Sequence, residues 1–236
     1  VYVTNVENTS YKGILYKMDS IRLYGNAKIS KQFLYRYLGM LPNSIYNTKK
    51  LANISQRLLE LPYLQQSQPW RLSMLGKAYL LDVFADNKKS NQVDAIVGLL
   101  PNNQQINGAL LFTVDAKLKL QNAFAKGETI GLNWQQIQPQ SPRLNVLFQQ
   151  PYIFNSQFGL DFSFDLFKKD SSFLNIQSNI GVLYEISTKQ KTKVLFQSYR
   201  TNLIDVDTNT IKLTKKLPDI IDVVTNSLAV EYEYNG

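Results

Sequence analysis

Carboxylates are the first residues to consider for acid–base chemistry in this sequence, because it contains neither histidine nor cysteine. That absence excludes imidazole proton transfer, thiol nucleophiles, disulfides and thiolate metal sites. The best-placed acids, Asp161 and Asp165, are four residues apart, which in a strand is about 13 Å, whereas paired glycosidase acids stand roughly 5–9.5 Å apart. They are therefore interpreted as ordinary polar wall residues, and the sequence predicts no enzyme, no metal site and no cofactor.

The positive charge is concentrated in the first part of the chain. Residues 1–100 carry 13 Lys and Arg against 6 Asp and Glu, and the remainder carries 13 against 12. A basic surface suits nucleic acid, anionic lipid or an acidic partner, and bulk charge does not choose between them. Lys191 and Lys193 are interpreted as solvated loop charges or headgroup contacts, so no nucleic-acid partner is predicted.

A period of two, typical of β-strands with one apolar and one polar face, dominates the chain from about residue 91. Eight segments predict an antiparallel meander, in which connections alternate between the two ends of the sheet. The segments are residues 92–100, 109–121, 130–134, 144–149, 158–166, 174–186, 192–203 and 228–234.

A soluble β-sandwich and a transmembrane β-barrel both fit this alternation. The polar faces hold Asn, Gln, Ser and Gly more than Glu and Lys, the strands are long, and aromatic residues such as Trp134 and Tyr152 cluster near strand ends. These features favour an outer-membrane barrel. A spanning sheet must close, because backbone groups in hydrocarbon need partners, so the eight strands either close alone or are half of a larger barrel. No apolar run is long enough for a transmembrane helix.

The first part of the chain mixes helical and strand periods in the order β-α-α-β-β, which predicts a compact α+β module. A strand at 20–24 ends at a Gly-Asn turn, and Ser30 caps a helix that ends near Gly39. Asn47 or Thr48 caps a second helix, which Pro62 stops. Two strands follow, joined by a Gly-Lys turn; they cover residues 70–75 and 79–85.

The stretch 18–64 resembles a POTRA domain, the periplasmic module of outer-membrane assembly factors of the BamA/TamA type. Residues 21–26 are similar to the family's I-x-I-x-G-N strand and turn, residues 33–36 to its first helix, and residues 51–64 to its second helix and the segment after it. Further on, residues 95–99 resemble the first barrel strand.

Two turns extend the resemblance into the sheet. Residues 121–128 are similar to the family's N-x-x-G-x-G periplasmic turn, with Ala125 where the family usually has glycine, and residues 150–154 are similar to its x-P-Y-x-F segment. The resemblance implies a linker or the tail of a preceding POTRA module at 1–17, a POTRA module at 18–90 and the first half of a sixteen-stranded barrel at 91–236. It also implies an outer-membrane location, with the module and the turns near Asn122, Pro151 and Thr188 in the periplasm.

The implied function is the folding and insertion of client β-barrel proteins by strand addition at a lateral seam. The implied partners are unfolded outer-membrane proteins, accessory periplasmic lipoproteins and the lipid bilayer. The alternatives are a two-partner-secretion pore that exports one dedicated substrate and, more remotely, a soluble sandwich with a ligand surface.

Two strands are the predicted binding edges. Gly98 in the first barrel strand is either a weak point of the seam or a spacing or bulge residue. The predicted gate strand comprises Val93, Asp94, Ala95, Ile96, Val97, Gly98, Leu99 and Leu100, and the predicted POTRA edge comprises Tyr79, Leu80, Leu81, Asp82, Val83 and Phe84.

Overall fold

The computed structural model describes residues 16–101, 110–138, 140–187, 190–204, 215 and 222–234. Within these ranges the strands form two sheets, one of three strands and one of eight. Most of the predicted linker at 1–17 lies outside the described residues. So do Thr188 and most of the connection at 204–226.

The three-stranded sheet and its helices form an α+β module. Its strand order is β1-β3-β2, with β1 parallel to β3 and β2 antiparallel to it. The elements are β1 (Lys17–Tyr24), α1 (Lys31–Tyr37), α2 (Thr48–Ala52), α3 (Ile54–Leu59), β2 (Leu64–Leu75) and β3 (Ala78–Asn87).

The helices begin where the sequence predicts. The Ser30 hydroxyl accepts the Phe33 N–H at 3.1 Å, and the Asn47 side chain accepts the Lys50 N–H at 3.1 Å. The predicted second helix is in fact two short helices, α2 and α3. They are separated at Asn53, whose N–H bonds the Lys50 carbonyl three residues back and so tightens the backbone at that point.

Apolar side chains from the helices pack on one face of the small sheet. On β3 the alternate residues Tyr79, Leu81 and Val83 are at most 1% exposed, and Phe33 and Leu58 of the helices are also buried. Because every second residue of a strand points to the same side, this face is the core of the module.

The eight-stranded sheet is an antiparallel meander in chain order, as predicted. Its strands are 10 to 15 residues long. They are β4 (Gln92–Pro101), β5 (Leu110–Gln121), β6 (Thr129–Gln138), β7 (Ser141–Gln150), β8 (Phe158–Lys169), β9 (Phe173–Ser187), β10 (Gln190–Leu203) and β11 (Val223–Tyr234).

The large sheet is open. Strands β4 and β11 lie at its two ends and do not pair with each other among the described residues, so these eight strands do not close a barrel alone. One face is apolar and bare: Val97, Phe112, Leu228 and Val230 are between 67 and 77% exposed. Water-soluble monomers rarely leave so much contiguous apolar surface uncovered.

Candidate functional site

Strand β4 presents an open edge of the large sheet. Within the described residues it pairs only with β5, through an unbroken register from Gln92 opposite Lys119 to Pro101 opposite Leu110. All eight residues of the predicted gate strand, 93–100, lie in β4. In an antiparallel strand alternate N–H and C=O groups point away from the partner, so β4 can accept a further strand through main-chain hydrogen bonds.

Gly98 lies opposite Thr113, and the contact between them is close. A Cβ added to Gly98 would lie 2.5 Å from the Thr113 hydroxyl oxygen, closer than real side chains approach. The register of β4 and β5 has no bulge at this point. Of the two interpretations of Gly98, the geometry therefore supports a spacing residue, which leaves room for the Thr113 side chain.

The predicted edge of the module is wrong. Residues 79–84 belong to β3, the central strand, which pairs with β1 on one side and β2 on the other, so its main chain is already occupied. Among the described residues β1 and β2 are the outer strands of the small sheet, and residues 43–46 already cover the start of β1: the Met18 N–H donates to the Ser44 carbonyl at 2.9 Å and the Asn43 N–H to the Met18 carbonyl at 2.8 Å. The parallel pairing of β1 with β3 connects residues about sixty positions apart, and local alternation carries no information about it.

The side chain of Asp82 is also occupied within the module. The Arg22 Nε donates to Asp82 Oδ1 at 2.5 Å and the Arg22 Nη2 to Oδ2 at 2.8 Å, while the Ser73 hydroxyl donates to Oδ2 at 2.7 Å. The hydrogen bond from Arg22 holds the pKa of the Asp82 carboxyl below its usual value. This ion pair stabilises the order of the three strands rather than a ligand.

Cross-strand polar contacts connect the strands on the polar face of the large sheet. The Lys193 ammonium lies 3.4 Å from Asp161 and 3.1 Å from Glu231, and the Gln149 amide donates to Asp161 at 3.0 Å. Asp161 is thus a wall residue, as predicted. The prediction for Lys193 is wrong, because β10 extends past it and its side chain pairs with two carboxylates.

Two turns of the large sheet, at residues 122–128 and 151–157, pack against the module. Phe33 of α1 contacts Tyr152 edge-on, with ring centroids 5.5 Å apart. A Cβ on Gly127 would overlap the Phe33 ring, so only glycine fits there, and its φ of +76° also favours glycine. The Ser30 N–H donates to the Ala125 carbonyl at 2.7 Å.

Glu128 organises the first of these turns. Its side chain is fully buried, and its carboxylate accepts the backbone N–H groups of Phe124 and, at 3.1 Å, Lys126. Asn122 completes the turn by accepting the Gly127 N–H at 2.9 Å and donating to the Lys28 carbonyl at 2.7 Å. The buried carboxylate therefore holds the turn in the shape that meets the module.

Tyr152 is the corresponding residue of the second turn. Its hydroxyl donates to the Glu185 carboxylate at 2.5 Å, and burial, followed by the charge of Glu185, raises the pKa of Tyr152. Its backbone is left-handed, with φ of +53°. The resemblance drew attention to both turns but not to their contacts with α1; the signals available in the sequence were the lone glycine of one turn and the Pro-Tyr pair of the other.

Neither a membrane-spanning helix nor a metal-binding cluster of acidic side chains is found among the described residues. No helix among the described residues has the length and apolar character needed to cross a membrane. Within the same residues no group of three or more acidic side chains is arranged to hold a metal ion.

Two solved structures share this fold. BamA from Haemophilus ducreyi lacking POTRA domains 1–3 aligns at a TM-score of 0.51 with 13% identity, and CdiB from Acinetobacter baumannii aligns at 0.55 with 16%. Each alignment covers 94% of this chain and 44% of the other, so this chain spans less than half of either. No protein-family model and no curated protein matches the sequence. At these identities the likeness concerns the fold.

Proposed function

We propose that this chain is part of an outer-membrane assembly factor of the BamA/TamA type, which folds and inserts client β-barrel proteins by strand addition at β4. The observation that carries the proposal is the open edge of β4, within a fold shared with BamA. Main-chain hydrogen bonds along an edge accept many different sequences, as a factor that serves many clients requires. The mechanism uses no catalytic residue and no cofactor.

The bare apolar face of the sheet supports a location in the outer membrane. Its strands have the length that a tilted strand needs to cross a bilayer, and the opposite face is polar with cross-strand contacts such as that of Lys193 with Asp161. The turns at 122–128 and 151–157 contact the module, so they would share the periplasmic side with it. The eight strands would then be the first half of a sixteen-stranded barrel, and the module its last POTRA domain.

The module would serve as the docking site for unfolded clients and accessory periplasmic lipoproteins. Because β3 is the central strand, docking by strand addition would use β1 or β2 instead. Residues 43–46 already bond the start of β1, and the Ile21 N–H donates to the Tyr35 hydroxyl, so β2 is the better edge. Pro69 within β2 lacks a backbone N–H and limits pairing at that one position.

A translocation pore of the two-partner-secretion type is the second candidate. The likeness to CdiB is at least as strong as that to BamA, with TM-scores of 0.55 and 0.51. The shared fold therefore does not distinguish between the two functions. An experiment in cells is needed to separate them.

Depletion of the full-length protein, followed by quantification of outer-membrane proteins, separates the candidates. The assembly function predicts a broad loss of β-barrel proteins, because all clients need the same edge. Loss of a single exported protein with an unchanged set of barrels would contradict it and favour the pore. Extraction without detergent, and without any shift in gel migration on heating, would contradict both membrane functions.

A further inference from the structure

We propose that a cleft between the helices of the module and the rim of the large sheet binds the anionic headgroup of a phospholipid in the periplasmic leaflet. The acyl chains of that lipid would lie along the outward face of β8 and β9. The inference rests on the proposed function in one respect, because it needs a bilayer around the sheet.

The cleft has a volume of about 450 Å³ and a basic lining on the side of the module. Four cationic side chains reach it from the helices and the segments beside them, and Gln157 and Ile186 line it from the sheet. The four are Arg36, Lys49, Lys50 and Arg57. Such a concentration of cations beside a membrane attracts anionic headgroups.

Most of this positive charge is not neutralised by the protein. Within the part of the chain that the structure describes, the side chains of Arg36 and Lys49 have neither an ion-pair nor a hydrogen-bond partner. Lys50 donates to the Gly39 carbonyl at 2.7 Å, which leaves its charge uncompensated. Arg57 lies over the Tyr37 ring at 4.2 Å, and its Nε is buried without an acceptor.

The one carboxylate among the described residues that line the cleft belongs to Glu185. That carboxylate accepts the Tyr152 hydroxyl. Glu60, which lies just outside, accepts the Tyr37 hydroxyl at 3.2 Å. Four cations against a single lining carboxylate leave a net positive cleft, and this matches a phosphate diester.

An apolar wall begins where the cleft opens. Arg36 also lines a neighbouring cavity of about 450 Å³ together with Phe158 and Tyr184, whose ring centroids are 5.0 Å apart. Both rings lie on the bare outward face of the sheet, and the row continues along β9 through Val182 and Ile180, each about half exposed. Aromatic residues at this height are typical of the level of the headgroups.

A phospholipid fits this combination better than an acidic peptide. A peptide would need partners for its own backbone groups, and a bare apolar row offers none. A lipid places its phosphate among the cations and its chains on the row. The basic cleft and the apolar row meet at Arg36, so together they match the charged headgroup and the acyl chains of one phospholipid.

The test uses the full-length protein in neutral detergent, titrated with phosphatidylglycerol and followed by native mass spectrometry. The variant R36A/K49A should bind phosphatidylglycerol about 25-fold more weakly, since each cation near an anionic surface contributes roughly fivefold. The affinity for phosphatidylcholine with the same acyl chains should fall less between the wild-type protein and R36A/K49A, because its headgroup has no net charge. The matched control is K17A/K77A, which removes two exposed lysines that do not line the cleft and should change binding by less than about twofold.

Two soluble ligands identify the alternative occupants. Glycerol 3-phosphate carries the headgroup chemistry without chains, and an acidic decapeptide carries charge on a polypeptide. Either one binding the wild-type protein more tightly than phosphatidylglycerol would overturn the proposal. So would equal losses in R36A/K49A and K17A/K77A, or no loss in either.

Heat-modifiable gel migration of the same samples reports separately on the barrel. If the wild-type protein lacks it, the proposed membrane function fails and this inference fails with it. If R36A/K49A is heat-modifiable and keeps its affinity for phosphatidylglycerol, the inference alone is contradicted.

Discussion

Single residues in the two turns determine how the sheet meets the module. Glu128 is a fully buried carboxylate whose partners are backbone N–H groups rather than a cation. A carboxylate accepts several N–H groups at once and donates to none, which suits a turn whose amides all point inward. Gly127 beside it allows the Phe33 ring to approach the backbone. The shape of the turn thus depends on the N–H groups that the Glu128 carboxylate accepts and on the absence of a side chain at Gly127.

At this scale we expect E128Q to destabilise the folded protein. The amide keeps one acceptor oxygen, but its NH₂ group faces a backbone N–H, so one buried donor loses its partner, at a cost of about 1–3 kcal/mol. The free energy of unfolding is measured by urea titration in detergent, with the heat-modifiable band as the folded signal.

The matched control for this substitution is E60Q. Glu60 is exposed and accepts the Tyr37 hydroxyl, which an amide oxygen also can, so the change should stay within about 0.5 kcal/mol. An E128Q protein as stable as E60Q would show that the buried carboxylate is not needed for the turn.

At the scale of elements, β4 is an edge strand of the large sheet. Among the described residues it pairs with β5 alone, whereas each strand from β5 to β10 pairs with a neighbour on both sides. Its outward side chains Val93, Val97 and Leu99 are more than half exposed. An edge strand that stays unpaired in the folded protein is either covered by another segment or used for binding, because its free backbone groups pair readily with other strands.

The proposed assembly function predicts that a disulfide between a cysteine at position 98 and one in the strand that would close the barrel of the full-length protein blocks client assembly, because the seam could no longer open. The measurement is the yield of folded clients in proteoliposomes before and after reduction. Residues 1–236 contribute no background cysteine.

The control disulfide joins positions 98 and 113, which are already opposite each other in β4 and β5. Replacing Thr113 also removes the hydroxyl that a Cβ at position 98 would meet, so the pair fits the existing register. This protein should keep nearly full activity. Full activity with the seam disulfide completely formed would contradict strand addition at β4.

On the scale of the whole molecule, the module and the sheet share an interface rather than a flexible tether. Phe33 belongs to the core of the module and also contacts both turns of the sheet, through Gly127 and Tyr152. The Ser30 N–H, the first amide before α1, bonds across the interface to Ala125. A load on the module would therefore reach the turns next to β5 and β8 directly.

We expect G127A to open this interface. The added Cβ would overlap the Phe33 ring, and alanine at φ of +76° carries backbone strain of about 1 kcal/mol. Hydrogen exchange of the Ser30 amide in the full-length protein measures the effect, which should be at least tenfold faster exchange.

The control for the interface is G76A, in the turn between β2 and β3. Gly76 has a similar φ of +61°, and an added Cβ there meets nothing within 4 Å, so the substitution brings the strain without the overlap. Exchange at Ser30 should be unchanged in G76A. Equal exchange in the two variants would contradict a packed interface at Gly127.

Local patterns in the sequence determined the elements of this protein. The alternation from residue 92 onward gave all eight strands and their antiparallel order, because consecutive strands joined by short turns pair with their neighbours. Ser30 and Asn47 marked the starts of helices through hydrogen bonds that reach only three residues. These interactions are local, so a short window of sequence contains them.

Only the tertiary structure decided which surfaces remain free. The parallel pairing of β1 with β3 placed residues 79–84 in the centre of the small sheet, and the pairing of Lys193 with Asp161 and Glu231 placed that charge on the polar face. The contacts of Phe33 with Gly127 and Tyr152 likewise join residues about a hundred positions apart. Alternation tells which side chains share a face, but the neighbour of each strand depends on how distant segments pack, and no local window encodes that.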